Sequence, residues 1–206
     1  MSTPDDRRTS SCSGPGDLRP VHGRSAGLGR DVRRVVLEPL PPHGGIPAPL
    51  LTELTALYAS NREFHALSGD FPDPDDIRPE QVAAGLAGAG SEVLSARVEG
   101  RLVAVVITLA HHPDPADPDP WIGLLMVDAG EHGKGYGRRV ATLVEERFRA
   151  AGRQAVRLAV LDGNAKGLAF WTALGYEVVD HRPDRALGRP CAVLRKVLWT
   201  SPSAGA

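Results

Sequence analysis

The sequence predicts an α/β fold in which a mixed, mostly antiparallel central sheet of about seven strands is flanked by four helices. Three features carry that expectation. Two β-rich runs, 93–98 and 102–110, are separated only by Glu99, Gly100 and Arg101, a connection too short for a parallel crossover and so the mark of an antiparallel hairpin. A third run, Trp121–Val127, leads through a glycine-rich turn into an amphipathic helix. Helical and strand periodicities then alternate, giving the order β, α, α, β, β, β, α, β, α, β, β without an internal repeat.

Residues 1–30 are rich in Ser, Gly, Pro, Arg and Asp and have no hydrophobic periodicity, so they read as a disordered tail; 200–206 read likewise, leaving one domain over 31–199. Val32, Val35, Val36 and Leu37 suggest a first strand, which Pro39, Pro41, Pro42 and Gly44 bring to an end. Leu50, Leu51, Leu54, Leu57 and Tyr58 recur at three- and four-residue steps and predict a helix over 49–61. The stretch 63–76, punctuated by Gly69, Pro72 and Pro74, reads as a loop, and Pro79 as the first-turn residue of a second helix over 79–89. Residues 111–120 alternate Pro with Asp and predict an exposed loop. Over 136–151, Val140, Leu143, Val144 and Phe148 form an apolar face, while Arg139, Glu145, Glu146 and Arg149 fall on the opposite, solvent side. After a strand over 156–161, Asn164 caps a helix closed by Gly175, and two strands follow near 177–180 and 192–198.

Composition narrows the functions. The formal net charge is -1, which provides no field to favour nucleic acid or an acidic membrane. The longest apolar run, 102–110, is too short to span a bilayer, and the N-terminus has no signal-like apolar segment, so a cytoplasmic protein is expected. Cys12 in the tail and Cys191 in a strand suggest neither a disulfide framework nor a metal cluster, and no metal is expected. All basic residues but Lys134, Lys166 and Lys196 are Arg, a bias that suggests a GC-rich bacterial genome.

The chemistry concentrates where Gly133, Gly135 and Gly137 alternate just before a helix. Glycine permits positive φ and exposes amides, and the helix start adds unsatisfied N–H groups and a positive dipole end, which together suit a phosphate. Lys134, Arg138 and Arg139 would oppose that dipole unless an anion lay between. A Walker-type loop requires Ser or Thr after Gly-Lys, but Gly135 follows Lys134. A dinucleotide fingerprint would start directly after the strand and end on a third glycine, where this chain has Val140.

The run from His132 to Gly137 resembles the Gln/Arg-x-x-Gly-x-Gly/Ala pyrophosphate loop of the GCN5-related N-acetyltransferases, with His132 at the Gln or Arg position. The run from Asn164 to Tyr176 resembles that family's second signature, in which Asn opens a helix that Gly-Tyr ends. The resemblance implies an N-acetyltransferase moving acetyl from acetyl-CoA to a primary amine by direct attack in a ternary complex. It implies a pantetheine arm along Leu125, Met126 and Val127, a diphosphate on the turn formed by His132, Gly133, Lys134, Gly135, Tyr136, Gly137 and Arg138, and a contact from Asn164. The acceptor pocket is expected to draw on Phe64, His65, Asp70 and His111. A small-molecule amine or a peptide or protein amine is the expected partner, with no nucleic acid and no membrane, in a monomer or homodimer.

The catalytic groups stay open. No acid lies on Trp121–Val127, where relatives often carry a glutamate, and Trp171 stands where relatives often have a tyrosine; His65, Asp70, His111, His112 or a water chain are the candidate bases. A non-catalytic acyl-CoA-binding or regulatory module is therefore the alternative to an enzyme.

Overall fold

The computed structural model describes residues 34–41 and 45–198. Both expected tails, Cys12, Val32, Pro42 and Gly44 lie outside the described residues.

Seven strands form one sheet: β1 (Val35–Pro39), β2 (Ser91–Val98), β3 (Arg101–Leu109), β4 (Trp121–Val127), β5 (Ala155–Leu161), β6 (Glu177–Pro183) and β7 (Pro190–Val197), in spatial order β1-β2-β3-β4-β5-β7-β6. Every neighbouring pair is antiparallel except β4 and β5. The β2–β3 connection is two residues long, with Glu99 at φ 51 and Gly100 at φ 81. Two successive positive φ values match the right-handed twist of a tight hairpin.

Among the described residues, five α-helices flank the sheet: α1 (Ala48–Ser60), α2 (Arg62–Ser68), α3 (Pro79–Leu86), α4 (Tyr136–Ala150) and α5 (Ala165–Thr172). The sequence predicts four; the additional one is α2, in the stretch read as a loop. It follows α1 after the single residue Asn61 and stops at Gly69, whose φ of 68 is the left-handed helix stop. Its Phe64 and His65 pack inward with Tyr58 and Phe71, so tertiary burial, more than a long periodic pattern, holds this short helix.

Two cores lie on opposite faces. On one, Leu54, Leu57 and Tyr58 of α1 and Val82 and Leu86 of α3 cover Val93, Val105 and Met126. On the other, Val140, Ala141 and Val144 of α4 and Trp171 of α5 cover Leu94, Val106, Ile122, Leu158 and Leu194. Glu145, expected on the solvent side of α4, is instead 3% exposed. Its carboxylate accepts from Lys196 Nζ at 2.8 and 2.9 Å, Arg149 Nη2 at 3.2 Å and Tyr176 Oη at 3.2 Å, partners that make burial of the charge tolerable.

The 111–120 loop is likewise less exposed than its Pro-Asp alternation suggests. Asp117 is 5% exposed and accepts from Arg157 of β5 and Arg182 of β6, while Asp119 accepts from Arg157 at 3.0 Å and Arg195 at 2.8 Å. Arginines on three strands thus draw the loop down onto the sheet.

Candidate active site

β4 and β5 pair only at Trp121–Arg157 and Ile122–Leu158; beyond that point the two strands part. Gly123 marks the start of the parting. The register between β3 and β4 shifts there, Ile107 facing Leu124 while Thr108 faces Ile122, so Gly123 is the extra residue of a bulge that bends β4. A side chain at Gly123 would begin 3.2 Å from Leu109 Cδ1, which explains the glycine. Beyond it, Gly123 and Ala159 are exposed and Leu124, Leu125 and Val127 only half-buried, although β4 and β5 are the middle strands of the sheet. Exposed residues on central strands define an open wedge, with unpaired backbone edges along its walls.

At the open end of the wedge the chain enters the glycine turn. Residues Ala129–Glu131 form a single 3₁₀ turn, with Asp128 Oδ1 accepting from Gly130 N at 2.9 Å. Val127 O accepts from Asn61 Nδ2 at 3.0 Å and meets His132 Nε2 at 3.0 Å. Because a carbonyl can only accept, His132 carries its proton on Nε2. Ser60 Oγ accepts from Ala129 N at 3.0 Å, so the α1–α2 junction braces the turn from below.

Gly133 (φ 77) and Gly135 (φ 88) hold left-handed conformations, and Gly135 caps α4. Gly137 is a glycine for another reason. A Cβ there would lie 3.3 Å from the Phe170 ring and 3.5 Å from Val127 Cγ2, so α4 could not approach β4 and α5 as closely. The first helical bond of α4 runs from Arg139 N to Gly135 O at 3.1 Å, which leaves the amides of Tyr136, Gly137 and Arg138 without an acceptor in the helix. Arg138 and Arg139 are exposed and form no ion pair among the described residues. This end of the wedge therefore offers three amides, a positive dipole end and two cations, a set that fits a diphosphate.

Lys134 differs from that picture. Its Nζ lies 2.9 Å from Glu131 Oε2, and Arg101 Nη1 lies 2.7 Å from Glu131 Oε1, so the lysine braces the turn and lines a concavity of about 470 Å³ with Arg101, Glu131 and Tyr136, beside the wedge and not within it. Hydrogen bonds from Arg101 and then Lys134 hold the Glu131 carboxyl down to about 2. A carboxyl depressed on folding contributes stability that is present above its unfolded value and lost as pH falls towards the folded one. Between roughly pH 4.5 and pH 2 the wild-type denaturation midpoint is therefore expected to fall more steeply than that of Glu131→Gln. Parallel acid limbs in urea titrations would show that the triad contributes nothing.

On the other wall, Asn164 Oδ1 accepts from Gly167 N at 2.8 Å and caps α5. The carboxamide lies so close over Gly167 that a Cβ there would come within 2.5 Å of Asn164 Nδ2. That Nδ2 has no hydrogen-bond partner among the described residues, leaving a donor for a ligand beside the cap. Trp171 is buried edge-to-face against Phe170 and Tyr176, both at 4.9 Å.

The expected acceptor residues do not converge on one point. Phe64 and His65 of α2 lie in an aromatic cluster with Tyr58 and Phe71; His65 is 1% exposed, burial lowers its pKa, and neither ring nitrogen meets a well-aligned hydrogen-bond partner among the described residues. Asp70 receives Arg189 Nη1 at 2.7 Å, and Arg189 also reaches Ser68 O and, at 2.6 Å, Asp184. Arg189, which the sequence did not single out, thus ties the end of α2 to the β6–β7 turn. His111 is exposed, with Nε2 3.3 Å from Arg153 Nη2. Its neighbour His112 turns inward instead and stacks on Trp121 at 4.6 Å.

Against known families, residues 54–176 match the model of the acetyltransferase (GNAT) family. The chain belongs to the GNAT family. Among solved structures, an acetyltransferase from Thermus thermophilus is 20% identical over 81% of this chain and 98% of its own, with a TM-score of 0.61. The ribosomal-protein-S18-alanine N-acetyltransferase from Escherichia coli is 16% identical over 84% of this chain and 99% of its own, with a TM-score of 0.58. An aminoglycoside 6'-N-acetyltransferase complexed with coenzyme A is 14% identical over 81% and 99%, with a TM-score of 0.55. At these identities the likeness is one of GNAT fold. No curated protein matches the chain. Among the described residues no helix is long and apolar enough to cross a membrane, and no group of three or more His, Cys, Asp or Glu could hold a metal ion.

Proposed function

We propose that this GNAT protein is an N-acetyltransferase that moves acetyl from acetyl-CoA to a primary amine by direct attack within a ternary complex. The observation that carries the reading is the wedge between β4 and β5, with unpaired helix amides at its open end. A pantetheine arm laid along β4 would add to the sheet as a strand does, with backbone bonds for affinity. His132, Gly133, Lys134, Gly135, Tyr136, Gly137 and Arg138 would shape the phosphate seat, Leu125, Met126 and Val127 the wall beside the arm, and Asn164 would donate from across the wedge. The acceptor enters from the face that carries α2 and the β6–β7 turn. Cytoplasmic placement in a bacterium belongs to the same reading, supported by the Arg-dominated basic composition.

Amine attack needs a neutral nucleophile, and freeing a lysine-like amine at pH 7 costs roughly 4 to 5 kcal/mol, so a base or water path is required. A tyrosine acid for the leaving thiolate has little support. Burial pushes the Tyr58 and Tyr176 hydroxyls well up, the latter also through Glu145, and the Tyr176 hydroxyl is committed to that carboxylate.

The test is acetyl-CoA consumption, followed by thiol release, across small amines, amino acids, aminoglycosides and peptide N-termini. Turnover with at least one class is expected, with a pH profile that rises and has no falling limb from a phenol near about pH 10. Tight acetyl-CoA binding without turnover in any class would favour the acyl-CoA-binding module, for which the missing β4 carboxylate is the supporting observation.

A further inference from the structure

We infer that helix α2 roofs the mouth of the wedge and that Leu67 is a binding residue for the acyl-CoA arm; the inference rests on the acetyl-transfer reading above. The first support is where α2 begins. Asp128 N donates to Val103 O of β3, and because backbone groups alternate along an antiparallel ladder, Val127 O points away from β3 and into the wedge. Asn61, from which α2 springs, donates to that carbonyl from Nδ2 at 3.0 Å. Helix α2 therefore starts on the β4 wall.

It ends on the other wall. A Cβ built on Gly163, just past the end of β5, would lie 2.8 Å from Leu67 Cδ1, so the Leu67 side chain rests directly on that backbone. Lys166 Nζ of α5 meets Glu63 Oε2 at 2.8 Å, and Arg189 holds Ser68 O and Asp70. The Glu63–Lys166 pair is exposed to solvent and holds little energy, but it fixes where α2 lies. From Asn61 to Leu67 a helix advances about 9 Å. Two inter-strand spacings come to about 9 to 10 Å, the separation of β4 and β5 that leaves room for one added strand between them. Helix α2 is thus a crosspiece with the width of a wedge that holds one extended chain.

An arm that leaves a diphosphate at the start of α4 and enters the wedge must pass beneath this crosspiece. In CoA the carbon unit next to the diphosphate carries two methyl groups on a quaternary carbon, so the most apolar part of the arm comes to lie at the mouth. Leu67 is 43% exposed there, while Phe64 and His65 of the same helix turn into the aromatic cluster. A scattered surface leucine needs no explanation, but this one lies across the entrance and offers the apolar surface that the methyl groups require. The closed end at Trp121 lies about 20 Å along β4 from Val127, so the roof leaves the acceptor its approach on the same face.

Calorimetric titration with acetyl-CoA reads the contact. Leu67→Ala is expected to weaken binding about tenfold and Leu67→Met by less than about twofold, with unfolding midpoints close to that of wild type because the side chain is half-exposed. In Gly163→Ala the far end of Leu67 can swing aside, so the protein folds with its roof displaced, and a loss of about fivefold is expected. The same Gly163→Ala change should cost less than about twofold in the Leu67→Ala background, where the group it collides with is gone. Unchanged affinity in Leu67→Ala, an equal loss in Leu67→Met, additive losses in the double variant, or a collapsed Leu67→Ala unfolding midpoint overturns the role of Leu67 alone. Failure of the wild type to bind acetyl-CoA overturns the acetyl-transfer reading with it.

Discussion

Gly135→Val is expected to weaken acetyl-CoA binding by about tenfold or more, equivalent to about 1.4 kcal/mol, in a protein that still folds. Gly135 caps α4 at φ 88, a conformation that costs a β-branched residue of the order of 1 to 3 kcal/mol. The chain can relieve that strain only by turning the cap, and the amides of Tyr136, Gly137 and Arg138 turn with it. Gly137→Val should reach the same loss by another route, since its side chain would begin 3.3 Å from Phe170 and push α4 away from β4. Gly133→Ala makes the informative comparison. Its φ of 77 is strained for alanine, yet nothing lies within 4 Å of the added Cβ, and it precedes the helix amides, so a smaller loss is expected. Calorimetric titration of the three variants measures the order; equal and unchanged affinities in folded proteins would remove the phosphate seat from this turn.

The largest expected stability effect lies away from the wedge. Glu145→Ala should cost about 3 to 5 kcal/mol, the range seen when one partner of a buried ion pair is removed. The carboxylate is the common acceptor for Lys196 on β7, Arg149 on α4 and the Tyr176 hydroxyl after α5, and its loss strands a half-buried ammonium and a buried hydroxyl. Glu145→Gln keeps the shape and an acceptor oxygen and should cost less. Urea denaturation measures both; a Glu145→Ala midpoint equal to that of wild type would mean that Lys196 and Tyr176 find water at no cost.

What the sequence made legible is what depends on short range. The hairpin around Glu99 and Gly100, the strand-to-helix glycine turn and the Asn164 cap are each written in fewer than a dozen consecutive residues. Helix α2 escaped because its seven residues run straight into Gly69, Pro72 and Pro74 and owe their form to Tyr58 and Phe71. Buried charges escaped for a different reason. Glu145 has the periodicity of a solvent-facing residue, and two of the partners that make its burial possible, Tyr176 and Lys196, lie 31 and 51 positions on. Asp117 looks like loop surface until Arg157, 40 positions away, and Arg182 close on it. The glycine turn between β4 and α4 was therefore readable as pattern, while the tie between the end of α2 and the β6–β7 turn, made by Arg189 across 119 positions of chain from Asp70, was not.

Amide hydrogen exchange with and without saturating acetyl-CoA tests the wedge most directly. Protection is expected at the amides of Tyr136, Gly137 and Arg138 and along residues 123–126 of β4, with little change in β1 or α3. Saturable binding that left those amides exchanging at their unliganded rates, or protected a different surface, would contradict a cofactor lodged between β4 and β5.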